Sequence, residues 1–236
     1  YPMSLMLLAG YAKPFIGGAS KILWYIGVIS QIAIIIYVTV KFLTKKDISM
    51  IFASTYIPFA GMGVASITAP AFDAVAIGRI GFWFGLICYL ILTPFIFKRI
   101  FSLKTIPEPA KPTNGIICAP LSLLLAGYNS SFAEDRNVAL MVAMLVISQA
   151  IYFLVVSWIP KLLKTSFKPS FSGFTFPLVI SAIALKTSNA FLNKAGMGVP
   201  ALGILVKFEE AIALVMIVYI FILYMKAIFS KAENNI

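Results

Sequence analysis

The chain has 236 residues, of which 61% are hydrophobic and 11% charged, whereas a soluble domain carries about 25% charged residues. No soluble core of this length can bury that much apolar surface, so lipid must be the solvent for most of these side chains. The net charge of +11 resembles that of a nucleic-acid binder, but the basic residues fall mainly in the connections between apolar runs. They mark a membrane surface, and nucleic acid is not implied.

Hydropathy predicts an all-α integral membrane protein with eight helices and short connections, a single transmembrane domain over residues 1–236. The first helix (1–16) carries Pro2 with Ser4, Ala9 and Gly10, and the second (20–43) is bulky and apolar through Ile32–Val38. The third (49–67) carries Pro58 with Ser54, Thr55, Gly61, Gly63 and Ser66; the fourth (77–100) is apolar through Phe82–Phe97. The fifth (113–130) carries Pro120 with Ser122, Ala126 and Gly127, and the sixth (137–163) is apolar through Leu140–Val156. The seventh (172–191) carries Pro177 with Thr175, Ser181 and Ala182; the eighth (201–229) is apolar through Ala211–Tyr224.

The helices therefore alternate between small, proline-bearing and large, greasy. Successive prolines of the odd helices lie 56, 62 and 57 residues apart, the period of a repeated helical hairpin. Two short matches share one offset of 118 residues. Pro2-Met3-Ser4-Leu5 corresponds to Pro120-Leu121-Ser122-Leu123, and Val28-Ile29-Ser30-Gln31 to Val146-Ile147-Ser148-Gln149. An internal duplication is the expectation. The chain also enters an apolar helix almost at Tyr1, which is expected of a protein with further sequence upstream.

Alternate connections differ in charge. One set, with Lys41, Lys45, Lys46, Lys98, Arg99, Lys104, Lys111, Lys161, Lys164, Lys168, Lys226 and Lys231 against Asp47, Glu108 and Glu233, has a net charge of +9. The other set nets +2. The positive-inside rule puts the first set, and with it the C-terminus, in the cytoplasm.

Catalytic readings find little support. The sequence has no histidine, which excludes His-based zinc sites and serine-protease-type triads. The eight acidic residues form no convincing catalytic pair, and no phosphate-cradling glycine motif follows a strand. No enzyme activity, cofactor or metal is expected. Cys88 and Cys118 lie within apolar segments as packing residues.

A proline inside a membrane helix lacks an amide hydrogen and crowds the carbonyl one turn earlier. Around Pro58, Pro120 and Pro177 this loosens bonding at Ser54, Ile116 and Gly173. Irregular backbone at membrane depth persists only where protein, hydroxyls or water satisfy it. Small residues also serve ordinary close packing, but their fourfold recurrence with proline predicts kinked helices lining a central path. The odd helices contain no acidic residue, and Lys186 lies near the end of the seventh, a balance that favours anions over cations. Lys186 has two readings: anion attraction, or an ion pair with Glu209 or Glu210 on the next helix.

Several strings resemble the bacterial tellurite-resistance/dicarboxylate transporter family, which includes plant guard-cell slow anion channels and fungal sulfite exporters. They are Lys111-Pro112-Thr113, Ala119-Pro120, Ala126-Gly127-Tyr128, Phe167-Lys168-Pro169-Ser170 and, most specific, Phe174-Thr175-Phe176-Pro177. The resemblance covers essentially the whole chain. It implies ten helices in five hairpins around a quasi-fivefold pore, of which eight are present, the first matching the family's third. It further implies a homotrimer in the plasma membrane, inner helices kinked at Pro2, Pro58, Pro120 and Pro177, and a mid-membrane gate at Phe176. Small inorganic or organic anions are the implied substrates. Coupled export of a dicarboxylate, sulfite or another oxyanion is the alternative, with Glu209 or Glu210 as the ionisable group it would need.

Overall fold

The computed structural model describes residues 1–42, 44 and 48–233, with side chains through residue 229. Lys45, Lys46 and Asp47, and the side chains of Lys231 and Glu233, all counted in the charge balance above, lie outside the described residues. The described residues are helical throughout their regular structure, with no strand.

Two long helices open the chain, α1 (Pro2–Ile16) and α2 (Ala19–Lys41). Gly17, at φ 54°, makes the turn between them; this left-handed backbone is open to glycine at no steric cost. The third predicted helix is instead a string of short pieces. A 3-10 turn at Ala53–Thr55 leads into α3 (Tyr56–Ala60), then α4 (Met62–Thr68) and a second 3-10 turn at Ala69–Phe72. Pro58 within α3, the break at Gly61 and Pro70 together deny this segment a continuous hydrogen-bond ladder.

The remaining spans run as α5 (Val75–Phe97), prolonged by a wider π-type turn at Lys98–Leu103, then α6 (Ala119–Ser131) and α7 (Val138–Val156). They continue with the short α8 (Ile159–Leu163), α9 (Phe176–Lys194) and α10 (Pro200–Glu233). Helices α6 and α9 are each approached by a 3-10 stretch, Glu108–Cys118 and Pro169–Phe174 respectively. Asn137 starts α7 by accepting the Leu140 amide on its side chain at 3.1 Å, a cap for the otherwise unpaired first-turn donors.

Among the described residues, five spans are long and apolar enough to cross a membrane: Ala19–Lys41, Val75–Leu103, Val138–Leu163, Pro169–Lys194 and Pro200–Phe229. The architecture is that of an all-α membrane protein. Packing separates two rows. Helices α1, α4, α6 and α9 touch one another in that order, and each backs onto its own neighbour, α2, α5, α7 and α10. Within the inner row α4 and α6 are buried, α6 almost completely, whereas α1 and α9 each keep an open face. The outer row shows apolar side chains outward, among them Ile29, Ile36, Leu90, Val146 and Leu214. An apolar exterior is the arrangement that lipid requires.

Helix α6 sits against α4 with almost no intervening side chain. A Cβ at Gly127 would stand 2.8 Å from the Ser66 Cβ and 3.0 Å from the Gly63 carbonyl oxygen. That approach allows two cross-helix bonds. Ser66 donates to the Gly127 carbonyl at 3.0 Å, and Ser131 donates to the Ser66 carbonyl at 2.6 Å. Gly127→Ala is expected to cost about 1–3 kcal/mol by overpacking this seam. The check is a thermal melt of the purified protein in detergent, and an unchanged melting temperature would contradict the close seam.

Candidate functional site

The four proline-bearing segments meet around one cavity of about 370 Å³. Met3, Ser4 and Leu7 of α1 border it on one side, and Phe176 and Pro177 of α9 on the other. Between them come Ile57, Ala60 and Gly61 of the broken third segment, and Ile116, Pro120 and Leu123 around the start of α6. The wall is mostly apolar, with Ser4, Tyr56 and Ser172 as hydroxyl-bearing members.

The prolines act differently from simple mid-helix kinks. Pro2 is the first residue of α1, and Pro120 and Pro177 are second in α6 and α9. These are positions where a missing amide hydrogen costs nothing, because first-turn amides have no intrahelical acceptor. The chain changes from 3-10 to α geometry just before Pro120 and Pro177; at Thr175 the backbone swings through φ −90°, ψ −82°. Pro58 is the third residue of the five-residue α3, which runs on from the Ala53–Thr55 turn, and it borders a different surface hollow with Phe52 and Val38. Its own carbonyl accepts the Gln31 side-chain amide at 2.6 Å. Freed backbone in the broken segment is thus met by a side chain of the outer row, as membrane depth demands.

Phe176 stands at the cavity and is 42% exposed. Open positions recur along α9 at Phe176, Ile183, Thr187 and Ala190, spacings that return to one helical face. Lys186 flanks that face about 15 Å along the axis from Phe176. It is exposed, and its ammonium donates to a Glu210 carboxylate oxygen at 2.8 Å. Of the two sequence readings, the ion pair is the contact that forms, with Glu210 rather than Glu209 as its partner.

Glu209 behaves differently from its neighbour. One residue along α10 turns the side chain by about 100°, and Glu209 is fully buried. The Ser181 hydroxyl from α9 and the Gln149 amide from α7 lie against its carboxyl, with Tyr152 and Cys118 close by. Yet the polar atoms of Glu209, Ser181, Gln149 and Tyr152 approach one another without reaching hydrogen-bonding geometry. The four come from three helices behind the cavity-lining face of α9. Of them, sequence reasoning singles out only Glu209 as a site residue; Gln149 is visible only as one half of a repeated string.

Both cysteines are free thiols; Cys118 is buried, with its sulfur 3.5 Å from the Pro177 carbonyl oxygen. At the far end of the inner row, Asn129 donates to Ser188 at 2.8 Å and to Thr187 at 3.1 Å, and its backbone carbonyl accepts from Arg136. Burial lowers the affinity of the Arg136 guanidinium for its proton, and the ring of Phe191 lies 4.0 Å from it.

Comparison with individual curated proteins gives no match. The family profile SLAC1, described as voltage-dependent anion channel, matches residues 1–228. With nearly the whole sequence matched and an apolar helical architecture around a cavity bordered by its inner row, the chain belongs to the SLAC1 family of voltage-dependent anion channels.

Proposed function

We propose that the chain conducts small anions through a path between α1, the broken third segment, α6 and α9, with Phe176 as its gate. Membership of an anion-channel family supports passage of anions as the activity. The observation that carries the route is the 370 Å³ cavity, bordered by every segment of the inner row and by the Phe176 ring. Its wall lacks carboxylates among the described residues, so an anion meets no fixed negative charge there. The mostly apolar lining offers no tight binding site, which suits conduction rather than retention.

The quasi-fivefold ring goes with this reading. The open faces of α1 (Ser4, Leu8, Tyr11, Phe15) and of α9 are the surfaces against which a fifth hairpin would pack. A homotrimer in the plasma membrane, each subunit with its own path and with the C-terminus cytoplasmic, completes the proposed arrangement.

A coupled carrier is the second reading, favoured by one observation. Glu209 is a buried carboxyl with no cationic partner among the described residues, and an ionisable group at membrane depth is by default a functional candidate. Purified full-length protein in planar bilayers separates the two. Large passive anion currents support the channel. Saturable, proton-dependent flux without such currents would replace it with a carrier, and neither would contradict both.

Lys186→Glu is expected to reduce the preference for anions over cations while leaving assembly intact. The pair it breaks lies beside the open face of α9, outside the buried packing between helices. Bi-ionic reversal potentials, read beside a size-exclusion profile, are the check. Loss of the folded oligomer would assign Lys186 a purely structural role.

A further inference from the structure

A second cavity, of about 430 Å³, lies between the connection that leads into α6 and the one that leads into α9. It shares no lining residue with the cavity at Phe176. It opens on the face where α10 ends, since the Tyr224 hydroxyl near that end donates to the Pro169 carbonyl and its ring meets Phe167.

Four lysines line it: Lys104, Lys111, Lys161 and Lys168. The single carboxylate of the described lining, Glu108, is already engaged by Lys111. That hydrogen bond, with the charge of Lys168 behind it, holds the Glu108 carboxyl below the usual carboxylate range. Three lysines thus remain as uncompensated positive charge around one hollow. Lys104 occupies a left-handed backbone position, φ 52° and ψ 29°, where helices ordinarily end in glycine or asparagine. A long basic side chain lines the cavity at a position where glycine would relieve the backbone.

The rest of the lining is not that of a simple anion hole. Trp158 and Phe101 form an aromatic wall, their rings 6.1 Å apart, and Leu162 and Phe174 continue it. Tryptophan at the end of a membrane span marks headgroup level. The side-chain carbonyl oxygen of Asn114, also in the lining, is buried and has no hydrogen-bond donor among the described residues. Lysines can satisfy a phosphate. An acceptor such as Asn114 needs a hydroxyl or amine, which a bare phosphate diester lacks, and the aromatic wall needs hydrocarbon.

We infer that this cavity binds the headgroup of an anionic, hydroxyl-bearing phospholipid from the leaflet on the C-terminal side of the protein. The phosphate sits among Lys104, Lys161 and Lys168, a headgroup hydroxyl donates to Asn114, and the first acyl carbons run along Trp158 and Phe101. Basic pockets between membrane helices recognise such headgroups by charge, at roughly fivefold in affinity for each lysine close to the phosphate. The assignment stands independently of the pore proposed above.

The test uses the full-length protein in neutral phosphatidylcholine micelles, with dioleoyl-phosphatidylglycerol as the probe and native mass spectrometry as the readout of retained lipid. Wild-type protein is expected to retain phosphatidylglycerol over phosphatidylcholine by about tenfold or more. K104Q/K161Q should lose that preference by roughly fivefold per lysine, K104R/K161R should keep it, and Asn114→Leu should weaken retention with all lysines in place. Melting temperatures in phosphatidylcholine alone establish that each variant is folded; if the double variant is not, Lys168→Gln carries the same expectation. Full displacement of the lipid by millimolar inorganic phosphate would overturn the lipid assignment in favour of a free-phosphate site. Undiminished phosphatidylglycerol preference in the folded lysine variants would overturn the site itself.

Discussion

Phe176→Ala is expected to raise anion conductance by at least about tenfold, the effect of removing roughly 1.4 kcal/mol from a barrier. The ring stands where α9 begins and borders the cavity shared by α1, the broken third segment and α6. Its neighbour Pro177 fixes the first turn of that helix, and with it the backbone from which the ring projects. Truncation to alanine removes the aromatic volume and leaves the helix start in place, because the proline and the preceding 3-10 turn are untouched. Single-channel or liposome flux recordings supply the check. Conductance unchanged or reduced in folded protein would remove Phe176 from the gate.

Glu209 gives the second large effect, on folding. Glu209→Lys would place an ammonium among Ser181, Gln149, Tyr152 and Cys118, with no carboxylate to replace the one lost. Leaving a buried charge unpaired costs about 3–5 kcal/mol, a large fraction of a typical domain's stability. The variant is therefore expected not to accumulate as folded protein. Glu209→Gln keeps shape and polarity and should fold with a melting temperature close to wild type. Membrane yield and thermal melts read both outcomes, and equal damage from the two substitutions would show that the carboxyl itself holds the helices together. The glutamine variant also discriminates between mechanisms. Anion flux that keeps its magnitude and pH profile belongs to a channel, whereas loss of proton-driven uptake would belong to a carrier.

Much of the architecture is legible in the order of residues. Long apolar runs such as Ala211–Tyr224 are helices because lipid leaves the backbone no other partner, and α10 extends through that run as expected. The alternation of greasy and proline-bearing helices corresponds to the two packed rows. Hydropathy does not reveal the breakup of the third span, because the scale registers Pro58, Gly61 and Pro70 as mild residues and is blind to the ladder they interrupt. Recurring proline predicts kinked inner helices, and the family resemblance adds Pro2 to the kinks; Pro2, Pro120 and Pro177 stand at helix starts. Spacing alone cannot tell a kink from a first turn preceded by a 3-10 approach.

The polar sites are harder to foresee, for a reason the two glutamines make plain. Gln31 and Gln149 occupy matching places in a repeated string, yet Gln31 bonds the Pro58 carbonyl and Gln149 faces Glu209. Which of these contacts forms depends on what the neighbouring helix presents. Likewise Lys104 and Lys161 come from different connections, and only their folding against each other makes one cavity. Lys186 shows the converse, a partner on the next helix that sequence can name as one of two adjacent glutamates but not select.

The most direct test of the central proposal is the reversal potential of purified full-length protein in a planar bilayer under a tenfold potassium chloride gradient. Current that reverses close to the chloride equilibrium potential, and that grows in Phe176→Ala, is the expected result. Reversal near the potassium potential, or no current above empty bilayers in either protein, would contradict anion conduction through the Phe176 cavity.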